Sequence, residues 1–281
     1  MIKIGKISYT NIYPIYYFFD ELKFADQVTF IPQIPSELNQ RMKRGDIDLG
    51  PISSFAYAEN AASYMLLPDL SISCKGKVRS IYLFSKLPIE KLEGRSVALT
   101  SSSATSVALL KILLQHFYQC RVSYETMQPS IDEMLKEHDA ALLIGDDALH
   151  AKWQNTNISY IYDLGELWYH FTQKHMTFAV WAVRREVVKE RAMLLEEISA
   201  EFQRSKQKGL QNLGMITGEL SRSFGGSLSF WETYYQGLSY DLSGEQQESL
   251  EYFYRLAFEL GLLKEATQVE VWVPEKKSIP Q

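Results

Sequence analysis

An α/β protein of two lobes, with the second inserted into the first, is the fold class this sequence predicts, and three observations predict it. Strand and helix signals alternate through the first eighty or so residues. The same strand, polar turn and helix pattern begins again at Ser96. A lone apolar strand, Met176 to Val183, is then followed only by helical signals, as expected where the chain returns to its first lobe. Two crossing strands would join the lobes, with a cleft between them.

Taken in order, Ile2 to Ile7 alternates as a strand, and Pro14 to Leu22 is expected to be a helix that Pro14 starts. Gln27 to Ile34 is the next strand, Pro35 opens a helix through Lys43, and Asp46 to Gly50 returns as a short strand. This βαβαβ order predicts a parallel sheet. Met65 to Ser73 and Arg79 to Ser85 are β-rich and could carry the chain out of that sheet. In the second set, Ser96 to Thr100 is a strand and Val107 to Phe117 an apolar helix. Arg121 to Met127 is a strand, Ile131 to Lys136 a helix, and Ala140 to Ile144 a buried strand. Helices follow the return strand over Glu186 to Gly214, Ser229 to Gly237 and Glu245 to Leu263, and the tail after Pro274 is expected to fray. These elements place residues 1–85 with 177–281 in the first lobe and 86–176 in the second.

The bulk properties narrow the function classes. The 281 residues are 46% hydrophobic and 22% charged, enough to bury a full core, and the net charge is −5. Basic residues are scattered, so nucleic acid is not an expected partner. The chain starts directly in strand-like alternation, with no signal-type apolar region or membrane-length run, and a cytoplasmic home is expected. Cys74 and Cys120 lack paired spacing and are expected to be buried, inert thiols. His116, His138, His150, His170 and His175 form no zinc pattern, so no metal is expected. Gly-x-Ser-x-Gly is absent as well.

Chemistry gathers at the strand ends. Ser8 to Pro14 is a polar strand-to-helix turn carrying Asn11, whose amide can donate, accept or simply cap. Ser53 and Ser54 stand at a second such turn. Thr100 to Ser106 places hydroxyls at every position but Ala104 before a helix, which suits a carboxylate or phosphate; it lacks the P-loop pattern. One or two of those hydroxyls would serve as an ordinary N-cap. Asp146 and Asp147 close a third strand. Trp168, Tyr169, Phe171, Phe178 and Trp181 gather near the return crossing, where some should pack the hinge or the cleft.

These segments together carry a resemblance: Ser8 to Pro14, Gly50 to Ala58, Val78 to Ile81 with Leu83 to Ser85, Thr105 to Leu110, Leu143 to Leu149, and Asp163 to Glu166 followed by Phe178 to Arg184. In this order they resemble the chorismate dehydratases of the futalosine route to menaquinone. The resemblance implies a type 2 periplasmic-binding-protein-like fold and loss of water from chorismate to give 3-[(1-carboxyvinyl)oxy]benzoate, without a cofactor. By it, Asn11 is central to catalysis and Ser80 is a cleft serine that binds or orients a carboxylate. Ser53, Ser54, Thr105 and Ser106 match substrate-contacting hydroxyls, and Ser101, Ser102 and Asp146 complete the expected substrate contacts. No strong general base stands among these residues, so the substrate's own enolpyruvyl carboxylate is expected to take the C3 proton. A relative that splits cyclic dehypoxanthine futalosine carries a catalytic His where this chain has Gly145-Asp146. Thr10, Ile12-Tyr13 and His170-Phe171-Thr172 depart from the dehydratase pattern. The other class to weigh is a non-catalytic solute-binding protein for a small carboxylate; the sequence fixes no oligomeric state and suggests no membrane insertion.

Overall fold

The computed structural model describes residues 1–154 and 157–274, so the expected fraying after Pro274 lies outside the described residues. Among the described residues, eleven strands form two sheets. They are β1 (Ile2–Ile7), β2 (Val28–Gln33), β3 (Leu49–Ser53), β4 (Tyr64–Cys74), β5 (Ile81–Ser85), β6 (Ser96–Thr100), β7 (Ser123–Met127), β8 (Ala140–Ile144), β9 (Tyr160–Asp163), β10 (Met176–Arg184) and β11 (Leu238–Ser239). The first sheet has the order β11-β4-β10-β3-β1-β2 and the second β7-β6-β8-β5-β9.

The two sheets share one plan. In each, three parallel strands, β3-β1-β2 and β8-β6-β7, run to one edge of the sheet. The strand that immediately follows a crossing, β10 or β5, pairs antiparallel beside them. Both sheets are therefore mixed, and the parallel pairing expected from the βαβαβ order is confined to one side of each. The expected division after residue 85 does not follow the sheets either. Ile81–Ser85 pairs with β8 and β9, because a strand whose every residue is buried needs partners on both edges. The chain crosses between Cys74 and Ile81 and returns just before Met176, where Cys74 pairs with Met176. Both crossings thus lie side by side.

Helices cover the sheets: α1 (Tyr13–Tyr16), α2 (Pro35–Arg44), α3 (Ser54–Glu59), α4 (Ala104–Ile112), α5 (Ile131–Glu137), α6 (Gly145–Gln154), α7 (Leu164–Thr172), α8 (Arg185–Glu190), α9 (Ala192–Gln211), α10 (Leu213–Ser223), α11 (Leu228–Gln236) and α12 (Gly244–Glu259). α2 starts with Pro35 in its first turn and stops at Gly45, whose φ of 82° lets its N–H close on Arg41 and Met42 carbonyls. α1 is far shorter than the expected Pro14 to Leu22. The Asp20 N–H goes to Glu201 Oε1 at 3.0 Å instead of continuing the helix. Burial of Phe19 against Phe24, Phe30 and Phe202 bends the chain away at the same point. No helix among the described residues is long and apolar enough to cross a membrane.

One carboxylate organises the outward crossing. Asp163 caps α7 through Glu166 N–H (3.1 Å) and also accepts from Val78 N–H (3.1 Å) and Arg79 N–H (2.7 Å). That fixes Arg79 at φ 59° and sets the direction of Ser80. β9 and α7 have no counterpart among the elements expected from the sequence, and the clamp joins residues 84 and 85 positions apart. Of the aromatic group near the return crossing, Trp168 and Trp181 are core residues and Phe178 faces the cleft. Cys74 and Cys120 are buried free thiols, and burial pushes both up from the ordinary thiol value.

Candidate functional site

A cavity of about 60 Å³ lies between the lobes. Its polar wall is Tyr9, Asn11, Ser53, Ser80, Ser103 and Ser106, and Ile7, Ile12, Ile72, Ile144 and Phe178 are among its apolar residues. Among the described residues, no Lys, Arg, Asp, Glu or His lines it. Helix starts reach this wall: Pro35 of α2, Ser53 before α3, Ser103 before α4 and Gly145 of α6, the last with Asp146 and Asp147 in its first turn. Free N–H groups and the helix dipole at such ends favour an anion.

Asn11 sits in a 3₁₀ turn, Thr10–Ile12, and its side chain caps no helix. Its Oδ1 is buried and has no hydrogen-bond partner. A buried amide oxygen left unpaired is destabilising by about 1–3 kcal/mol, so this atom calls for a donor from a ligand. Its backbone is held independently: Tyr240 OH donates to Asn11 O at 3.0 Å and Tyr235 OH to Thr10 O at 2.7 Å. Ser80 is buried and accepts from Tyr234 OH at 3.2 Å, while its own hydroxyl has only a 3.5 Å contact to Val78 O. That proton is available to a ligand. Ser53 caps α3 and accepts from Asn39 Nδ2 at 3.1 Å. Ser103, absent from the expected set, caps α4 by accepting from Ser106 N–H at 3.1 Å.

The remaining expected site residues are near the cavity and do not line it. Thr105 joins the lobes: its Oγ1 donates to Phe178 O (3.1 Å), accepts from Phe55 N–H (3.0 Å) and meets Ser54 Oγ at 3.2 Å. Ser54 in turn donates to Thr177 O at 2.7 Å. Both hydroxyls are satisfied within the protein. Ser101 faces Gln128 and an outer groove, and Ser102 is buried beside Tyr9. Asp146 reaches across the cleft to Thr10, accepting from its Oγ1 at 2.8 Å and its N–H at 3.2 Å. Tyr9 and Gly145, both in the wall, were missed. Tyr9 lay in a quoted motif, and Gly145 carries a φ of 56°, a backbone state no pattern announces.

These bonds tie the two lobes together beside the cavity. Burial raises the Asp146 carboxyl above its ordinary value, even though the Thr10 bonds favour its charged form. A folded-state pKa above the unfolded one means that stability is lost as pH rises through it. Asp146→Asn keeps the acceptor for Thr10 and removes that burden. The variant is expected to melt higher than the parent at neutral pH, with the difference vanishing near pH 3, where free carboxyls are protonated. Thermal melts at both pH values check this.

Comparisons with known proteins agree with this architecture. A family model described as menaquinone biosynthesis matches residues 2–259. A chorismate dehydratase of Thermus thermophilus is 32% identical over 236 residues, covering 79% of this chain and 82% of that protein. Among solved structures, the periplasmic aliphatic sulphonate binding protein SsuA of Escherichia coli superposes with a TM-score of 0.71 at 12% identity, covering 100% of this chain and 94% of its own. A protein of Archaeoglobus fulgidus gives a TM-score of 0.70 at 17% identity, covering 93% and 98%. At these identities the structures speak for the fold, which is periplasmic-binding-protein-like as expected. With its sequence matched almost from end to end, the chain belongs to the menaquinone-biosynthesis family.

Proposed function

We propose that this protein is a chorismate dehydratase, converting chorismate to 3-[(1-carboxyvinyl)oxy]benzoate and water. The observation that carries the reading is the unpartnered Oδ1 of Asn11, buried in the wall of an interlobe cavity. It stands in a chain 32% identical to a protein named for that reaction. Chorismate has a C4 hydroxyl that can donate to this oxygen and two carboxylates that suit helix starts and serine hydroxyls.

The reaction aromatises a ring, so the chemical driving force is in the substrate and the protein's task is placement. Asn11 orients the C4 hydroxyl. Ser80 and Ser106, with the N-terminus of α4, receive carboxylate oxygens. Among the described residues the wall offers no carboxylate or imidazole to act as base, and the substrate's enolpyruvyl carboxylate, tethered at C3, takes the C3 proton. Ile12, Ile72, Ile144 and Phe178 keep water away and strengthen each polar contact.

The test is direct. Purified protein is mixed with chorismate, and the absorbance change of ring aromatisation is followed with product identification by mass. Steady turnover to the enol ether benzoate is the expected result. Binding of chorismate without product would overturn the proposal and indicate a receptor.

A further inference from the structure

Dehydration needs a proton for the departing hydroxyl. Hydroxide is a poor leaving group because its conjugate acid, water, has a pKa of about 15.7, and a positioned acid at that oxygen typically contributes 10²–10⁴-fold in rate. Serine hydroxyls and the Asn11 amide can orient this oxygen but are weak acids. Tyr9 is the one ionisable side chain among the described residues that line the cavity. Resting on the dehydratase reading, we infer that Tyr9 is a further catalytic residue, its phenol protonating the C4 oxygen as the C4–O bond breaks.

The geometry supports this in two ways. Tyr9 immediately precedes the 3₁₀ turn that carries Asn11, and both residues line the same cavity. Its ring lies against the backbone of Gly145 from the other lobe, where an added Cβ would stand 2.8 Å from both Cδ2 and Cε2. Glycine at 145 therefore makes the room that the phenol occupies in the cleft. Ser102 stands beside the phenol and favours its ionised form, which helps it give up a proton. The charged groups facing it are Asp147 and Asp146 of α6, with His150 one turn on beside both. Burial, then Asp147, pushes the phenol up to about 12. Tyr9 thus keeps its proton throughout the neutral range, yet remains a stronger acid than water.

The step balances as follows. The C3–H bond breaks, its proton passes to the enolpyruvyl carboxylate, and its electron pair becomes the new ring double bond. The C4–O pair leaves with oxygen, which takes the Tyr9 proton and departs as water. The enolpyruvyl carboxylic acid then returns a proton to the Tyr9 phenolate, restoring enzyme and product carboxylate.

Tyr9→Phe keeps the ring against Gly145 and removes only the acid. Steady-state kinetics with chorismate should show kcat about 100-fold lower and KM within about threefold of the parent. A second variant, with 3-fluorotyrosine at position 9, guards against a folding defect. Since the phenol must be protonated, activity falls as pH rises through its pKa, and fluorination should move that fall to lower pH. Unchanged kcat in Tyr9→Phe, or an unmoved basic limb in the fluorinated protein, would overturn the assignment while leaving the dehydratase reading intact. If the parent protein makes no aromatic product, the dehydratase reading falls and takes the Tyr9 role with it.

Discussion

Asn11→Ala is expected to lower kcat on chorismate by about 10²–10³-fold, the range found when a positioned polar group at a reacting centre is removed. The fold should survive. The Asn11 side chain makes no cap, and the turn is fixed through backbone oxygens by Tyr235 and Tyr240. Truncation also removes a buried acceptor that no protein group satisfies, so the melting temperature should not fall. The variant separates two explanations of this geometry: a turn residue that shapes the chain would show its effect in stability, whereas a substrate contact shows it in turnover. Near-normal kcat with pure chorismate would remove Asn11 from the mechanism.

How far the site was legible in the sequence follows from what each feature depends on. Strands β1, β6 and β8 announce themselves by apolar runs ending in polar residues, and they alone locate the cleft edge. The hydroxyl run Thr100 to Ser106 announced a site but not which hydroxyls face it. Successive helical residues point about 100° apart, so the phase decides. Once Ser103 became the cap, Ser106 turned to the cavity and Thr105 to the opposite lobe. Ser53 and Ser54 divide for a similar reason at the strand end, one lining the wall and the other bonded to Thr177 O. The Thr10–Asp146 contact joins residues 136 positions apart, a pairing set by how the lobes close and not by local pattern. The same holds for β5, whose apolar sequence suits either sheet until its partners are known.

Gly209→Ala should produce the largest loss of stability. In an exposed helix interior this substitution ordinarily stabilises by about 1 kcal/mol, since alanine has less backbone freedom to lose. Here the sign reverses. Gly209 is buried in α9 against α1, and a Cβ would stand 2.0 Å from the Pro14 carbonyl oxygen, 2.8 Å from Pro14 C and 2.9 Å from its Cα. All three are backbone positions of a proline, so no side-chain rotation relieves the contact. Overpacking of this kind costs about 1–3 kcal/mol when side chains can adjust, and more when backbone must move. Net of the helix gain, a loss of about 2 kcal/mol or more is expected, which for a chain of this size lowers the melting temperature by roughly 4 °C or more. The displaced segment is α1, whose Pro14 lies just beyond Asn11, so kcat should fall with stability even though Gly209 is outside the cavity lining. Gly218→Ala in α10 is the control, because its Cβ would meet only Arg222 Nη1 at 3.6 Å. That variant should melt at or above the parent temperature and keep full activity. If Gly209→Ala melts as high as Gly218→Ala, then close approach of α9 is not what holds the Asn11 turn in place.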